Sequence, residues 1–484
     1  MPLSLQRPAA LLLAAVFTTT LPLVAGAQPA APTAPKPAAA KPAPASQAAA
    51  PAATKPAQPG ALKLPTLEQF SLENGLKVAY MRYDGAPVVA VEVWYHVGSK
   101  DEPRDRRGSA HMFEHMMFKG TERIRPEEYA RFIARVGGDA NAHTSEDATA
   151  YLQVVPAEQL DFVLQLEAER MRGLLFREDM IATEREVVKE EIRQQENDPI
   201  SKGLLRFLEI AFVKHPYSWT AGGTMADLDR TKSADLRTFY DTYYQPSNAL
   251  LVVVGAVGLP EVRAAVESRF GGIPAGPVPP RPADANPEPE QTKQRREVVE
   301  PGQVGIVFTG WKIPAAKHAD VYALQVLSLV MGAGDSARLR QRIKNPDPKT
   351  KKELGVEAAT PVLVREHPGL FIAIGVYRDP AGTAPVEAAI FDEMAKIAAK
   401  PPSAAEVRKA KNQVLSSFVF GLDSAIGLAE QIGQSWILTG DAGQFLRDVD
   451  AIEQVTPADV ARVAKTYLTP ERATIVVVPP RSAP

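Results

Sequence analysis

The sequence predicts an α+β fold built twice, on three observations. A block of residues recurs at a constant offset, a proline-rich stretch separates the two copies, and each copy mixes strand patterns with helix patterns. Ala234-Asp235-Leu236, Tyr243, Pro246, Ala249 and Val252-Val253-Val254 return as Ala458-Asp459-Val460, Tyr467, Pro470, Ala473 and Val476-Val477-Val478, 224 residues later throughout. A helix feeding a buried strand accounts for each copy, and self-similarity at fixed spacing marks a repeated architecture. Length agrees, since 484 residues exceed one ordinary core. Each half is expected to be a mostly antiparallel sheet with packed helices.

From the N-terminus, Arg7, an apolar run over 9–24 and the small residues Ala25-Gly26-Ala27 read as a cleaved signal peptide spanning 1–27. An uncleaved anchor is the alternative. The mature chain would be periplasmic in a Gram-negative cell or otherwise secreted, with no membrane span after cleavage. Residues 28–62 are almost entirely Ala, Pro, Lys, Gln, Ser and Thr, too polar to offset their ordering entropy, and read as a disordered spacer. The first folded half is assigned to 63–275, a linker to 276–302 and the second half to 303–484. Formal net charge is −2 with no Lys/Arg stripe, which argues against nucleic acid and anionic membrane surfaces as partners. The chain has no cysteine, so disulfides and thiolate metal sites are excluded and any transition-metal site must use His, Asp and Glu.

In the first half, strand patterns at 67–72 and 76–83 flank Asn74-Gly75, a hairpin signal. A further strand is expected at 88–97, a helix from about Gly108, a strand pair at 141–143 and 149–155, and helices at 156–172 and 178–196. A last helix at 235–244 leads into a strand at 249–255.

The helix after Gly108 carries His111-Met112-Phe113-Glu114-His115. Two histidines four apart project from one helix face, and a glutamate three after the first joins them. That arrangement presents two imidazoles to a metal ion with a carboxylate beside a bound water; the order H-x-x-E-H is the inverted-zincin signature. A third ligand is then required. On the 178–196 helix, Ile181, Val187, Val188 and Ile192 define an apolar arc, with Glu184 and Glu191 inside it and Glu186 and Glu190 outside. Carboxylates on a buried stripe are costly unless paired or bound to metal, which nominates Glu184 and Glu191.

With these residues in place the chain resembles the pitrilysin/insulinase-type zinc peptidases, in particular the small bacterial members similar to mitochondrial processing peptidase. The resemblance runs over about 64–480 and is carried by Gly98-Ser99, His111 to Thr121, Asn141-Ala142, Thr144, Thr149, Tyr151, Glu184-Arg185, Val187-Val188, Glu191-Ile192, His215-Pro216-Tyr217 and 244–255. The family's third ligand follows the second motif histidine at the spacing that separates His115 from Glu191, 76 residues. The resemblance implies one Zn2+ per chain on His111, His115 and Glu191, with Glu114 as general base and Glu184 supporting the network. It implies that the strand holding Asn141, Ala142, His143 and Thr144 lies beside the substrate backbone. It also implies two homologous halves closing around a substrate chamber, only the first half binding zinc. His143 is expected to be a polar strand residue rather than a fourth ligand, and His96, His215, His318 and His367 are assigned no metal role.

The pattern breaks in the second half. Many active members carry an Arg and a Tyr seven apart, and Lys349 and Val356 stand in the corresponding positions. Valine donates no hydrogen bond to an oxyanion. In heterodimeric relatives a homologous subunit supplies the pair. The expectation is therefore a zinc endopeptidase acting on peptides or unfolded segments, as the catalytic subunit of a heterodimer with an Arg/Tyr-bearing homologue, a homodimer being possible. The rival is a non-catalytic, zinc-stabilised assembly or chaperone-like subunit.

Overall fold

Asn74 closes the first hairpin and ties it down: its Oδ1 accepts from the Leu76 amide and its Nδ2 donates to the carbonyls of Phe270 and Ile273. A computed structural model describes residues 66–347 and 350–481. The signal peptide, the spacer and Lys349 lie outside the described residues.

The first sheet contains β1 (Leu67–Ser71), β2 (Lys77–Arg82), β3 (Val88–Tyr95), β4 (Asp139–Thr144), β5 (Thr149–Pro156) and β6 (Ala249–Gly255), in the order β1-β2-β6-β3-β5-β4. The second contains β7 (Arg295–Val298), β8 (Gly305–Ile313), β9 (Glu357–Ala359), β10 (Val362–Leu363), β11 (Gly369–Tyr377) and β12 (Thr474–Val478). Its order is β10-β11-β8-β12-β7, with β9 also on β11. The path β2-β6-β3-β5-β4 matches β7-β12-β8-β11-β10 strand for strand. In each, the first pair is parallel and the rest antiparallel. β7 falls inside the proline-rich stretch read as a linker and belongs to the second sheet.

Between β5 and β6, and again between β11 and β12, come five α-helices in matching order. They are Leu160–Arg172, Glu178–Asn197, Pro199–Ala211, Met225–Arg230 and Ser233–Tyr243 in the first half. In the second they are Thr383–Ala399, Ala404–Gly421, Ala425–Thr439, Gln444–Gln454 and Pro457–Tyr467. The two halves are thus duplicates, as the repeated block predicts.

The third helix of each set crosses over to the other half. Phe207, Leu208 and Ala211 of Pro199–Ala211 pack with Ile306, Phe308, Val476 and Val478 of the second sheet. Leu428, Ala429, Ile432 and Trp436 of Ala425–Thr439 pack with Ala79, Ala90, Trp94, Leu250 and Val252 of the first. With the other face covered by the half's own helices, β6 and β12 are buried at every residue. Sheets covered on both faces replace alternation with continuous apolar runs, which explains Val252 to Val254 and Val476 to Val478. The crossing helix approaches closely: a Cβ at Gly433 would sit 2.0 Å from Trp94 Nε1, so only glycine fits.

A buried polar cluster also joins the halves. Lys100 Nζ lies 3.3 Å from Asp101, 3.5 Å from Asp147 and 3.2 Å from Glu366 of the second half. Glu366 also bonds His96 Nε2 at 2.8 Å, and Arg365 pairs with Glu146 at 2.8 Å. Burial opposes the Lys100 charge, but the three carboxylates outweigh it and raise its pKa. Among the described residues no helix is long and apolar enough to cross a membrane.

Candidate metal centre

The motif forms the helix Ser109–Met116. Its face alternates as the chemistry requires: Met112, Phe113 and Met116 are buried, while His111, Glu114 and His115 are half-exposed. Phe113 stacks against Phe239 and Tyr240, and its carbonyl accepts from the Tyr151 hydroxyl at 3.0 Å. Gly108 precedes the helix at φ 92°, a left-handed conformation that favours glycine, and a Cβ there would meet the Gly222 carbonyl at 2.9 Å. No residue at the helix start caps it. Instead the buried Glu102 carboxylate reaches in from the preceding loop and accepts from the amides of Gly108 (2.9 Å) and Ala110 (2.8 Å). Burial pushes the Glu102 carboxyl up to about 8, against the pull of those amides.

The helix Glu178–Asn197 supplies the carboxylates. Ile181, Val188 and Ile192 are buried as predicted, but Val187 is 42% exposed. It sits at the edge of the arc, one turn from Glu191, where the helix turns from core to open site. Glu191 is half-exposed on that side, Glu184 is 4% exposed on the core side, and Glu186 and Glu190 are exposed.

His111, His115 and Glu191 place their ligand atoms within 4.8 Å of one another, the one such group of three among the described residues. Glu191 Oε2 is 3.5 Å from His111 Nε2 and Oε1 is 3.7 Å from His115 Nε2. Tetrahedral ligands about 2.0–2.1 Å from zinc lie roughly 3.3–3.4 Å apart, so the two separations between Glu191 and the histidines are close to those of residues sharing one zinc ion. Glu184 Oε2 stands 3.4 Å from His115 Nδ1, and its Oε1 is 3.1 Å from Lys119 Nζ. Burial would raise the Glu184 carboxyl, but His115 and Lys119 outweigh it and lower its pKa. Burial depresses the His111 pKa, and the bond to Glu184 raises that of His115. Glu114 has no hydrogen bond or ion pair among the described residues; its charge acts on His111, His115 and His143.

The motif helix packs against β4. On that strand Asn141 is exposed and Ala142 is half-buried toward the core. Thr144 pairs with Thr149 at the strand end. His143 Nε2 lies 3.5 Å from Glu430 Oε1, and its ring meets Trp94 edge-on at 5.2 Å. His96, His215 and His367 lie at the junction of the halves, His215 and His367 with ring centroids 4.8 Å apart. Val356 is half-buried against the apolar cluster of Leu363, Ile374 and Val376. Sequence reasoning gave no role to Glu102, Lys119 or Glu430. Lys119, four after His115, could have been found by spacing; Glu102 and Glu430 depend on packing between distant segments and left no local signal.

Comparison with known proteins places these features in a family. The model described as "Insulinase (Peptidase family M16)" matches residues 77–221, which include His111, Glu114, His115, Glu184 and Glu191, and "Peptidase M16 inactive domain" matches 232–414. A Helicobacter pylori protein named zinc protease PqqE is 32% identical, with 86% of this chain and 94% of that protein covered. The crystal structure of a protease from Helicobacter pylori superposes with a TM-score of 0.80 at 31% identity, covering 86% of this chain and all of the other. An Arabidopsis thaliana protein named probable mitochondrial-processing peptidase subunit beta is 26% identical, covering 87% of this chain and 79% of that protein. Near-complete coverage at this identity, together with the same duplicated fold, means that the chain belongs to the insulinase-type peptidase family M16.

Proposed function

We propose that this chain is a zinc-dependent endopeptidase acting on peptides or unfolded protein segments. The observation that carries the reading is the convergence of His111, His115 and Glu191 from two helices within 4.8 Å, with Glu114 on the same helix face as the histidines. Zinc held by these three residues would supply Lewis acidity toward a scissile carbonyl and toward water. Glu114, without a competing partner among the described residues, is placed to take a proton from the attacking water and pass it to the leaving amine. Glu184 holds His115 by Nδ1 and leaves Nε2 for the metal. β4, with Asn141, Ala142, His143 and Thr144, offers a sheet edge on which an extended peptide can add as a further strand. The relative from Helicobacter pylori named as a zinc protease supports the same reading.

The catalytic unit we propose is a heterodimer. The Val356 side chain contributes no polar atom where the resemblance places a Tyr, and one relative is named as a subunit. A homologous chain bearing the Arg/Tyr pair would complete the chamber. The signal-like N-terminus supports export to the periplasm or the exterior. Glu114→Gln decides between peptidase and non-catalytic assembly factor. In the assembled enzyme it should retain zinc and lose about 10²–10⁴-fold in peptide hydrolysis. Zinc-loaded wild-type enzyme with no hydrolysis beyond that of the mutant would favour the non-catalytic reading.

A further inference from the structure

We propose that Glu430, carried by the second half, is a positioning residue for the peptide-binding edge of the first half, acting through His143. The inference rests on the reading that β4 receives substrate. β4 is the last strand of its sheet and pairs only with β5 among the described strands, so one edge is open. Toward the core it offers small side chains, the methyl groups of Ala140 and Ala142 with Thr144 at its end. Asn141 is exposed and bonds its neighbour's amide. His143 is therefore the one large side chain through which the centre of this strand is braced.

The brace comes from the other half. His143 is held between the Trp94 ring and the Glu430 carboxylate, the latter on the crossing helix Ala425–Thr439. Trp94 is itself fixed, donating from Nε1 to Glu92 Oε2 at 2.7 Å and lying directly under Gly433 of that helix. The position of Glu430 is thus set by the contact that docks the two halves. The charged groups acting on His143 are Glu430 and, from the motif helix, Glu114; burial disfavours its charge, but these carboxylates raise its pKa. Buried Glu92 stands behind Trp94. An extended peptide gains from a strand already straight and loses affinity when it must order that strand on binding.

The test uses the zinc-loaded enzyme carrying Glu114→Gln, assembled with the Arg/Tyr-bearing homologue, with fluorescein-labelled β-casein as the unfolded probe. Adding Glu430→Gln should weaken casein binding roughly fivefold, the size expected of a half-exposed ion pair. It should also speed hydrogen exchange at 139–144 and leave zinc content unchanged. His143→Glu combined with Glu430→Lys, which restores the pair with reversed charges, should bind more tightly than His143→Glu alone. Casein failing to bind the parent overturns the substrate reading and this inference with it. Casein binding that Glu430→Gln leaves unchanged, or no recovery in the charge-reversed pair, overturns this inference alone.

Discussion

Glu184 Oε2 lies 3.4 Å from His115 Nδ1, while Nε2 of the same ring faces Glu191 at 3.7 Å. One carboxylate of the helix Glu178–Asn197 orients the imidazole that, on the proposed reading, would share a metal ion with the other. Glu184→Gln should therefore keep the fold and weaken zinc binding by about 10–100-fold. Lys119→Met should act in the same direction and less, because Lys119 reaches the site only through Glu184 and shares its charge with Glu127. Zinc titration against a chelator measures both. Unchanged affinity in Glu184→Gln would remove this carboxylate from the metal network.

Glu190 and Glu191 are neighbours with different surroundings. Glu190 pairs with Arg193 at 3.0 Å on the exposed face, whereas Glu191 faces both histidines. Glu191→Gln should lose most zinc affinity because the site loses its anionic ligand. Glu190→Gln should stay within about twofold of wild type, as expected for an exposed ion pair. Equal losses in the two variants would place the third ligand elsewhere.

On the proposed heterodimer, Val356 makes activity depend on a partner. Purified alone and loaded with zinc, the chain should cleave a mixed peptide pool slowly. Adding an Arg/Tyr-bearing homologue should restore turnover by about 10²–10³-fold, the effect of one oxyanion donor. Light scattering should then find one copy of each chain in the active species. Full activity as a monomer or homodimer would refute the heterodimer and leave the zinc assignment standing.

Glu366 makes the junction between the halves acid-sensitive. Burial would raise its carboxyl, but the bond to His96 and the Lys100 charge hold it down at about 2. A depressed carboxylate stabilises the fold above its unfolded value near 4.3 and loses that contribution as pH falls toward 2. The shift corresponds to on the order of 3 kcal/mol. Glu366→Gln should lower Tm clearly at pH 7, with the gap to wild type closing between about pH 4 and 2. A gap that does not depend on pH would mean that the contribution is packing rather than charge.

Much of this was legible in the sequence because it is written locally. The strand at 249–255 was predicted at its observed limits, since a continuous apolar run between turn signals leaves little choice. The H-x-x-E-H helix and the phase of Glu184 and Glu191 followed from a 100° rotation per residue. Val187 misled because periodicity marks which side chains share a face; whether that face meets core or an open site is decided by what packs beside it. The crossing helices Pro199–Ala211 and Ala425–Thr439, and with them Glu430 and the Lys100 cluster, went unseen for the same reason. Their partners lie in the other half, and no local pattern names them.

The reciprocal crossing of the third helices makes the two halves inseparable in a thermodynamic sense. A chain cut within the proline-rich stretch would yield two fragments, each with one apolar sheet face bare and one amphipathic helix lacking its surface. Neither fragment would be soluble as a monomer, yet the two are complementary, and a mixture should reconstitute by trading helices. The tether between them acts chiefly by raising the effective concentration of each fragment near its counterpart. What the sequence records as a duplication should therefore unfold as a single cooperative body, an intramolecular version of a domain-swapped pair.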